Sequence, residues 1–347
     1  MKIVVVTDAW RPQVNGVVRT YEYMQRELQL LGHDVQFIHP GEFHTIPCPT
    51  YPSIRLAVMP YRGVRARLEC INPDAIHVAT EGPLGQAARK YCLQNQLPFT
   101  TSYHTQFPEY FRARVPLPLS LGYAMVRRFH QPAVRTMVPS QYMRGTLINR
   151  GFENVIVWSR GVDAALFKPG PRNIFDHKRP ISVYLGRVAV EKNIEAFLDL
   201  ELPGTRLVIG DGPDLDKLKS AYPDVIFTGF KFGEELAAML AACDVFVFPS
   251  RTDTFGIVLL EAMACGLPVA AYPVTGPIDV VKQGVTGILD EDLKAAVEGA
   301  LQLNRDDCVV YARTFCWRAS AECFLQHLAP VNPHPDPQSI SDACATG

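Results

Sequence analysis

Short runs of branched apolar residues alternate with longer stretches of helical spacing along almost the whole chain. Lys2–Thr7, rich in Val and Ile, reads as a buried strand. Val17–Leu31 follows with Val18, Tyr21, Met24, Leu28 and Leu31 on one face, and stops at Gly32, a residue suited to a helix C-terminus. Further strands are expected at Val35–His39, Ala75–Ala79, Phe99–Tyr103 and Thr136–Val138, with helical stretches between most of them. The second half repeats the theme, with strands at Ser182–Gly186, Arg206–Gly210, Val225–Thr228, Val245–Pro249 and Val269–Tyr272. Helices are expected near Ile194–Leu200, Leu215–Ala221, Glu234–Ala242, Gly256–Ala264 and Asp292–Leu303. Strands separated by helices in this way imply parallel sheets covered on both faces.

Two such halves place a boundary in the irregular stretch Trp158–Pro180, which contains Gly161, Pro169, Gly170 and Pro171. The expected organisation is an N-terminal domain over 1–160 and a C-terminal domain over 161–312. A segment over 313–330 holds a last helix (Arg313–Leu328, anchored by Phe315, Trp317 and Phe324) packing back toward the N-terminal domain. The proline-rich tail 331–347 is expected to be disordered.

At 347 residues, 48% hydrophobic and 20% charged, the composition is ordinary for a globular protein and excludes a disordered or fibrous chain. The apolar run Ile3–Val6 is too short for a signal-peptide core, and no stretch of about 18 apolar residues follows. Nine cysteines without a C-x-x-C pair fit reduced thiols in a cytosolic protein. The net charge of −1 hides an asymmetry: Met1–Arg160 carries 18 Lys and Arg against 10 Asp and Glu, and the remainder 16 against 25. Tyr110–Phe152 holds seven arginines (Arg112, Arg114, Arg127, Arg128, Arg135, Arg144 and Arg150) and no acid. A basic half joined to an acidic half points to a negatively charged partner surface.

In open α/β sheets, ligands sit beyond the carboxyl ends of the strands, and four loops there carry candidate chemistry. Asp8–Val17 contains Asn15 and Gly16 just before a helix, where backbone N–H groups and the helix dipole can meet a phosphate, or simply form a turn. It lacks G-x-G-x-x-G, which disfavours a dinucleotide site and hence a dehydrogenase. Gly186–Lys192 offers Arg187 and Lys192, a pair able to clamp a diphosphate or else solvated surface charges. Pro249–Pro268 holds Asp253 at a strand mouth and Glu261 about two turns down an apolar helix. Asp253 could be a helix cap, but a carboxylate on an apolar helix needs partners. Thr101–Gln106 brings His104 to a strand end, as a structural or a site histidine.

In this order and spacing, these residues resemble the retaining glycosyltransferases of the GT-B fold, in the large family-4 group that uses nucleotide-sugar donors. The resemblance covers residues 1–328 and implies an α/β fold of two Rossmann-like parallel-sheet domains facing a central cleft. Asn15-Gly16-Val17 resembles the donor-phosphate loop, His104 the active-site histidine, and Arg187 with Lys192 the basic diphosphate pair. Gly210-Asp211-Gly212-Pro213 resembles a second donor loop, and Thr228-Gly229-Phe230 the segment that meets the base. Asp253 and Glu261 are similar to the E-(x)7-E signature. Asp253 shortens its first acid by one methylene, and Asp279 stands where Glu is usual in the segment from Val274; both departures bear on donor identity.

The resemblance implies that Glu261 accepts the ribose hydroxyls, Arg187 and Lys192 neutralise the leaving diphosphate, and Asp253 with the backbone of Thr254, Phe255, Gly256 and Ile257 holds the sugar. Gly186, Asp211, Gly212 and Phe230 complete the donor-side set. His104 approaches from the N-terminal domain when the cleft closes. Two cations at the diphosphate make a metal unnecessary, the sequence has no D-x-D pair or His cluster, and no cofactor is expected beyond the nucleotide-sugar substrate. Arginines alternating with Phe111, Leu119, Leu121 and Phe129 suit an anionic membrane surface, with Arg112, Arg114, Arg127 and Arg128 as contacts. The expected acceptor is then a membrane lipid such as diacylglycerol, handled at the inner face of the cell membrane. In overall look the chain is similar to bacterial glycolipid synthases and the sulfolipid-forming branch. A soluble acceptor and a non-catalytic nucleotide-sugar sensor remain open. Nucleic acid is not an expected partner, since no RNP, KH or zinc-finger pattern occurs.

Overall fold

The structure is a computed structural model and describes residues 1–13, 15–48, 51–109 and 118–331. Two six-stranded parallel sheets dominate it. The first is ordered β2-β1-β5-β6-β7-β8, from β1 (Lys2–Val6), β2 (Asp34–Ile38), β5 (Ala75–Val78), β6 (Thr100–Ser102), β7 (Arg135–Val138) and β8 (Val155–Val157). The second is ordered β11-β10-β9-β12-β13-β14, from β9 (Ile181–Leu185), β10 (Thr205–Ile209), β11 (Ile226–Phe227), β12 (Val245–Phe248), β13 (Val269–Ala271) and β14 (Gly287–Leu289). A two-stranded antiparallel hairpin, β3 (Thr45–Cys48) with β4 (Tyr51–Ala57), stands apart from both. The alternation of short apolar runs and helices is thus realised as two doubly wound domains. Sequence pattern passes over β8, β14 and the hairpin. The first two are three residues long, and the hairpin carries Pro47 and Pro52.

In both sheets the strand order reverses beside the first strand, between β1 and β5 and between β9 and β12. Loops leaving these strand pairs diverge to opposite faces and leave a crevice between them. Helix Gly16–Leu30 starts at the first crevice. Its Val18, Tyr21, Met24 and Leu28 are buried, and the Asn15 side chain caps it by accepting from the N–H groups of Val17 and Val18, each at 3.0 Å. Helix Pro83–Gln94 is capped from across the crevice: Asp8, at the end of β1, accepts from Leu84 N–H at 2.9 Å and Gly85 N–H at 3.3 Å.

The last helix, Trp317–His327, lies on the first domain. Trp317, Ala321, Phe324 and Leu328 join the core built on Ile3, Val5, Tyr21, Met24 and Trp158. The two chain crossings between domains run side by side, since Val162 N–H donates to Phe315 C=O at 3.0 Å. A Cβ at Gly161 would lie 2.3 Å from Trp317 N, so only glycine allows that approach. Phe315 packs instead against the core of the second domain. Of the proline-rich tail, Val331 is bonded through its N–H to Asp74 C=O at 2.7 Å and Pro330 bridges to Ala75; residues 332–347 lie outside the described residues.

Candidate active site

The two loops flanking the β9/β12 reversal are joined side chain to side chain. Lys192, in a turn after β9, places Nζ 2.8 Å from Asp253 Oδ2 in the loop after β12. Asn193 donates to Pro249 C=O at 3.0 Å, and Asp253 Oδ1 accepts from Phe255 N–H at 3.3 Å. Arg187 lies in the same turn, its C=O accepting from the Tyr184 hydroxyl at 2.7 Å. Gly186 stands beneath it, where a Cβ would meet that hydroxyl at 2.8 Å.

The loop after β10 packs onto this turn through backbone. Val188 N–H donates to Asp211 C=O at 3.0 Å, and a Cβ at Gly212 would fall 2.2 Å from Val188 C=O, which explains glycine there. Asp211 accepts from Gly212 N–H at 2.6 Å. Phe230 is half-exposed and stacks on Phe232 with 5.8 Å between ring centroids. Gly256 adopts φ 80° at the start of helix Ile257–Ala264, and Ile257 touches the apolar cores of both domains.

The first domain meets this surface closely. Thr254 Oγ1 donates to His104 C=O at 2.7 Å, and Gln106 Nε2 donates to Asp253 C=O at 3.1 Å. Asp279 Oδ1 accepts from Tyr142 N–H at 3.1 Å, at the first turn of helix Gln141–Ile148. Arg19 pairs with Glu261, its Nη1 2.5 Å from Oε1. His104, Asp253, Thr254 and Glu261, all singled out in the sequence, therefore lie along one interdomain face. Gln106, Arg19 and Tyr142 join them without having been singled out. Gln106 sits in the loop already marked by His104, and Arg19 three residues beyond Gly16, but nothing local distinguishes either from a solvated side chain.

The Asn15 side chain caps the helix, so what this loop offers a ligand is backbone around Gly16, as expected from the sequence. Glu261 likewise already has a partner in Arg19.

His104 belongs to a buried polar chain that the sequence did not disclose. Arg160 Nη2 lies 3.2 Å from His104 Nδ1. A guanidinium can only donate, so Nδ1 accepts and Nε2 carries the proton toward the Tyr21 hydroxyl at 2.9 Å. A proton count that satisfies the next atoms runs from Tyr21 to His77 Nε2 at 3.0 Å, and from His77 Nδ1 to Thr100 Oγ1 at 2.8 Å. Burial, then the charge of Arg160, pushes His104 well below the usual histidine range and His77 down to about 3. Both rings are neutral at pH 7. Burial also lowers Arg160, to about 10, and it remains a cation.

The acid-free stretch divides. Arg135 donates to His327 C=O, Arg144 to Val155 C=O, and Arg150 stacks over the Tyr123 ring at 4.5 Å, so these three serve internal structure. Phe129 is buried in the first-domain core and offers nothing to a membrane. On helix Leu119–His130 the large apolar residues that face outward are Leu121 (49% exposed) and Met125 (67%), beside exposed Arg128 and Arg127, the latter also donating to Arg150 C=O at 3.2 Å. Arg112 and Arg114 lie outside the described residues. Among the described residues, no helix is long and apolar enough to cross a membrane.

Two parallel-sheet domains with their crevices turned to one another define the GT-B class. The model described as Glycosyltransferase Family 4 matches residues 14–166, and that described as Glycosyl transferases group 1 matches residues 179–306. A GDP-mannose-dependent alpha-mannosyltransferase of Corynebacterium glutamicum is 31% identical over 95% of this chain and 89% of its own. An alpha-monoglucosyldiacylglycerol synthase of Streptococcus pneumoniae is 28% identical, over 87% and 78%. The crystal structure of HepE from Anabaena in complex with UDP and glucose shares the fold with a TM-score of 0.72 at 17% identity, over 94% of this chain and 98% of that one. The chain belongs to the group-1, family-4 glycosyltransferases.

Proposed function

We propose that the protein transfers a hexosyl group from a nucleoside-diphosphate sugar to a hydroxyl of a membrane lipid such as diacylglycerol, with retention at the anomeric carbon and without a metal. The observation that carries this reading is the Lys192–Asp253 pair at the β9/β12 reversal, directly across from the His104–Thr254 contact. In it the diphosphate lies against Arg187 and Lys192, the ribose against Glu261 and the base against Phe230. Gly186, Asp211 and Gly212 shape the floor, and the positive end of helix Gly16–Leu30, with the Gly16 N–H, faces the donor from the first domain. Asp253, with the Thr254–Ile257 backbone, receives the sugar hydroxyls.

The anomeric carbon–oxygen bond to the diphosphate breaks as the acceptor oxygen bonds to the same face of that carbon. The acceptor's proton passes to the departing phosphate oxygen, whose charge Arg187 and Lys192 stabilise. His104, neutral and held in one tautomer, serves as a hydrogen-bonding wall of the sugar pocket. Support for a lipid acceptor comes from the diacylglycerol synthase among the relatives and from Leu121 and Met125 standing beside Arg127 and Arg128. The mannosyltransferase relative makes GDP-mannose the first donor to try.

The test is a panel of GDP- and UDP-sugars incubated with total lipid extract, with released nucleotide and mass-shifted lipid as readouts. One donor giving a hexosyl-lipid of α configuration is the expected result. Turnover with water-soluble acceptors alone would overturn the lipid reading. Tight donor binding without turnover on any acceptor would overturn catalysis itself.

A further inference from the structure

We propose that Arg19 is a positioning residue for nucleotide binding, orienting Glu261 and supplying its countercharge from across the cleft. This rests on the reading of Glu261 as the ribose ligand. Glu261 stands on helix Ile257–Ala264, whose other side chains are all apolar, and its own side chain is 2% exposed. A carboxylate in that setting requires a partner. Its partner comes from the other domain: Arg19 Nη1 holds Oε1 at 2.5 Å, while Oε2 is buried with no hydrogen-bond partner among the described residues. The carboxylate is thus half satisfied. Arg19 can only donate, so it leaves the Oε2 lone pairs to accept from a hydroxyl, as a ribose diol would require.

The surroundings leave this task to Arg19. Tyr23, from the same helix as Arg19, and Cys265, at the C-terminal cap of the helix of Glu261, are both pushed up to about 12, chiefly by burial and next by Glu261, so both stay neutral near pH 7. Asp163, which also acts on Tyr23, is paired with Arg26 at 3.3 Å. Burial raises the Glu261 carboxyl above its ordinary value, and Arg19 is the group that opposes the rise. Because Arg19 belongs to the first domain and Glu261 to the second, an ionised, oriented Glu261 exists in the closed arrangement. Nucleotide affinity and domain closure then favour one another by linkage.

GDP and UDP affinities measured by calorimetry from pH 5.5 to 9, on wild type, Arg19→Gln, Arg19→Lys and Glu261→Gln, test this. Wild type should show little pH dependence near neutrality. R19Q should bind the preferred nucleotide at least about tenfold more weakly at pH 6, with the deficit narrowing as pH rises and Glu261 ionises without help. R19K should restore the flat profile, and R19Q should affect donor KM more than kcat. Wild-type affinity for R19Q at every pH, or a deficit that does not change with pH, would overturn the proposal while a weakened E261Q left the ribose reading intact. Wild-type affinity for E261Q would sink the ribose reading and the proposal together.

Discussion

Arg160 Nη2 stands 3.2 Å from His104 Nδ1, joining the start of the interdomain crossing to the cleft face of the first domain. Arg160 also donates to Trp158 C=O at 2.6 Å and stacks 4.0 Å over the Trp158 ring, so its guanidinium is fixed on three sides. The imidazole it touches is thereby confined to one tautomer. His104 C=O, meanwhile, accepts from Thr254 of the other domain. One residue thus ties the buried polar chain of the first domain to the loop after β12 in the second.

Tyr21→Phe should test that chain. Loss of the hydroxyl leaves His104 Nε2–H short of a partner inside the core, while His77 Nε2 keeps the Ser102 hydroxyl at 2.9 Å, at a cost of about 1–3 kcal/mol. The urea midpoint should fall accordingly, with transferase activity reduced as His104 loosens. An unchanged midpoint would show that the hydroxyl contributes nothing to the network.

Stability should fall on mild acidification. His77 titrates near 3 in the folded chain and near an ordinary 6.5 when unfolded, and His104 is depressed in the same direction. The unfolded state therefore takes up protons first as pH falls. Their contribution is complete above about pH 6.5 and is lost progressively toward the folded values. Carboxylates titrate mostly below about pH 5, so a thermal midpoint that drops between about pH 6.5 and 5 reports on the depressed histidines, to which His33, His39 and His327, lowered by burial, also contribute. His77→Gln should flatten that slope, and a slope equal to wild type would count against the assignment.

Lys192→Ala and Arg187→Ala should each lower turnover by about 10²-fold or more, equivalent to about 2.7 kcal/mol, while the protein stays folded. Steady-state rates with circular dichroism as a control check this. Near-wild-type rates in both variants would remove the pair from the leaving-group site.

Chelation by EDTA should leave the rate unchanged if Arg187 and Lys192 take the role of a metal at the diphosphate, as proposed. Complete loss of activity, restored by Mg²⁺ or Mn²⁺, would refute that assignment.

Vesicle binding should be weak and salt-sensitive. Arg127 and Arg128 give together roughly 2 kcal/mol at an anionic surface, and Leu121 and Met125 add insertion energy. Wild type should co-sediment with anionic but not neutral vesicles at low salt, and Arg127→Glu/Arg128→Glu should abolish it. Equal binding to both vesicle types would exclude the electrostatic mode.

The sequence by itself determined the two-domain parallel architecture and most of the strand-end residues. Apolar runs such as Ile3–Val6 and Val245–Phe248 bury on both faces of a sheet whatever lies nearby, and glycines such as Gly210 and Gly212 mark where loops must pack against backbone. Lys192 and Asp253 were legible because each leaves a strand end, where local pattern and site position coincide. What only the tertiary structure decided are pairings between residues far apart in the chain: Arg19 with Glu261, Arg160 with His104, Asp279 with the backbone of Tyr142. The same holds for the burial of Phe129 and the exposure of Met125 on one helix. An arginine in a sequence carries its charge but not its partner. Whether that charge meets solvent, a carbonyl or a buried carboxylate depends on how two separately wound domains come together, and no local periodicity encodes that.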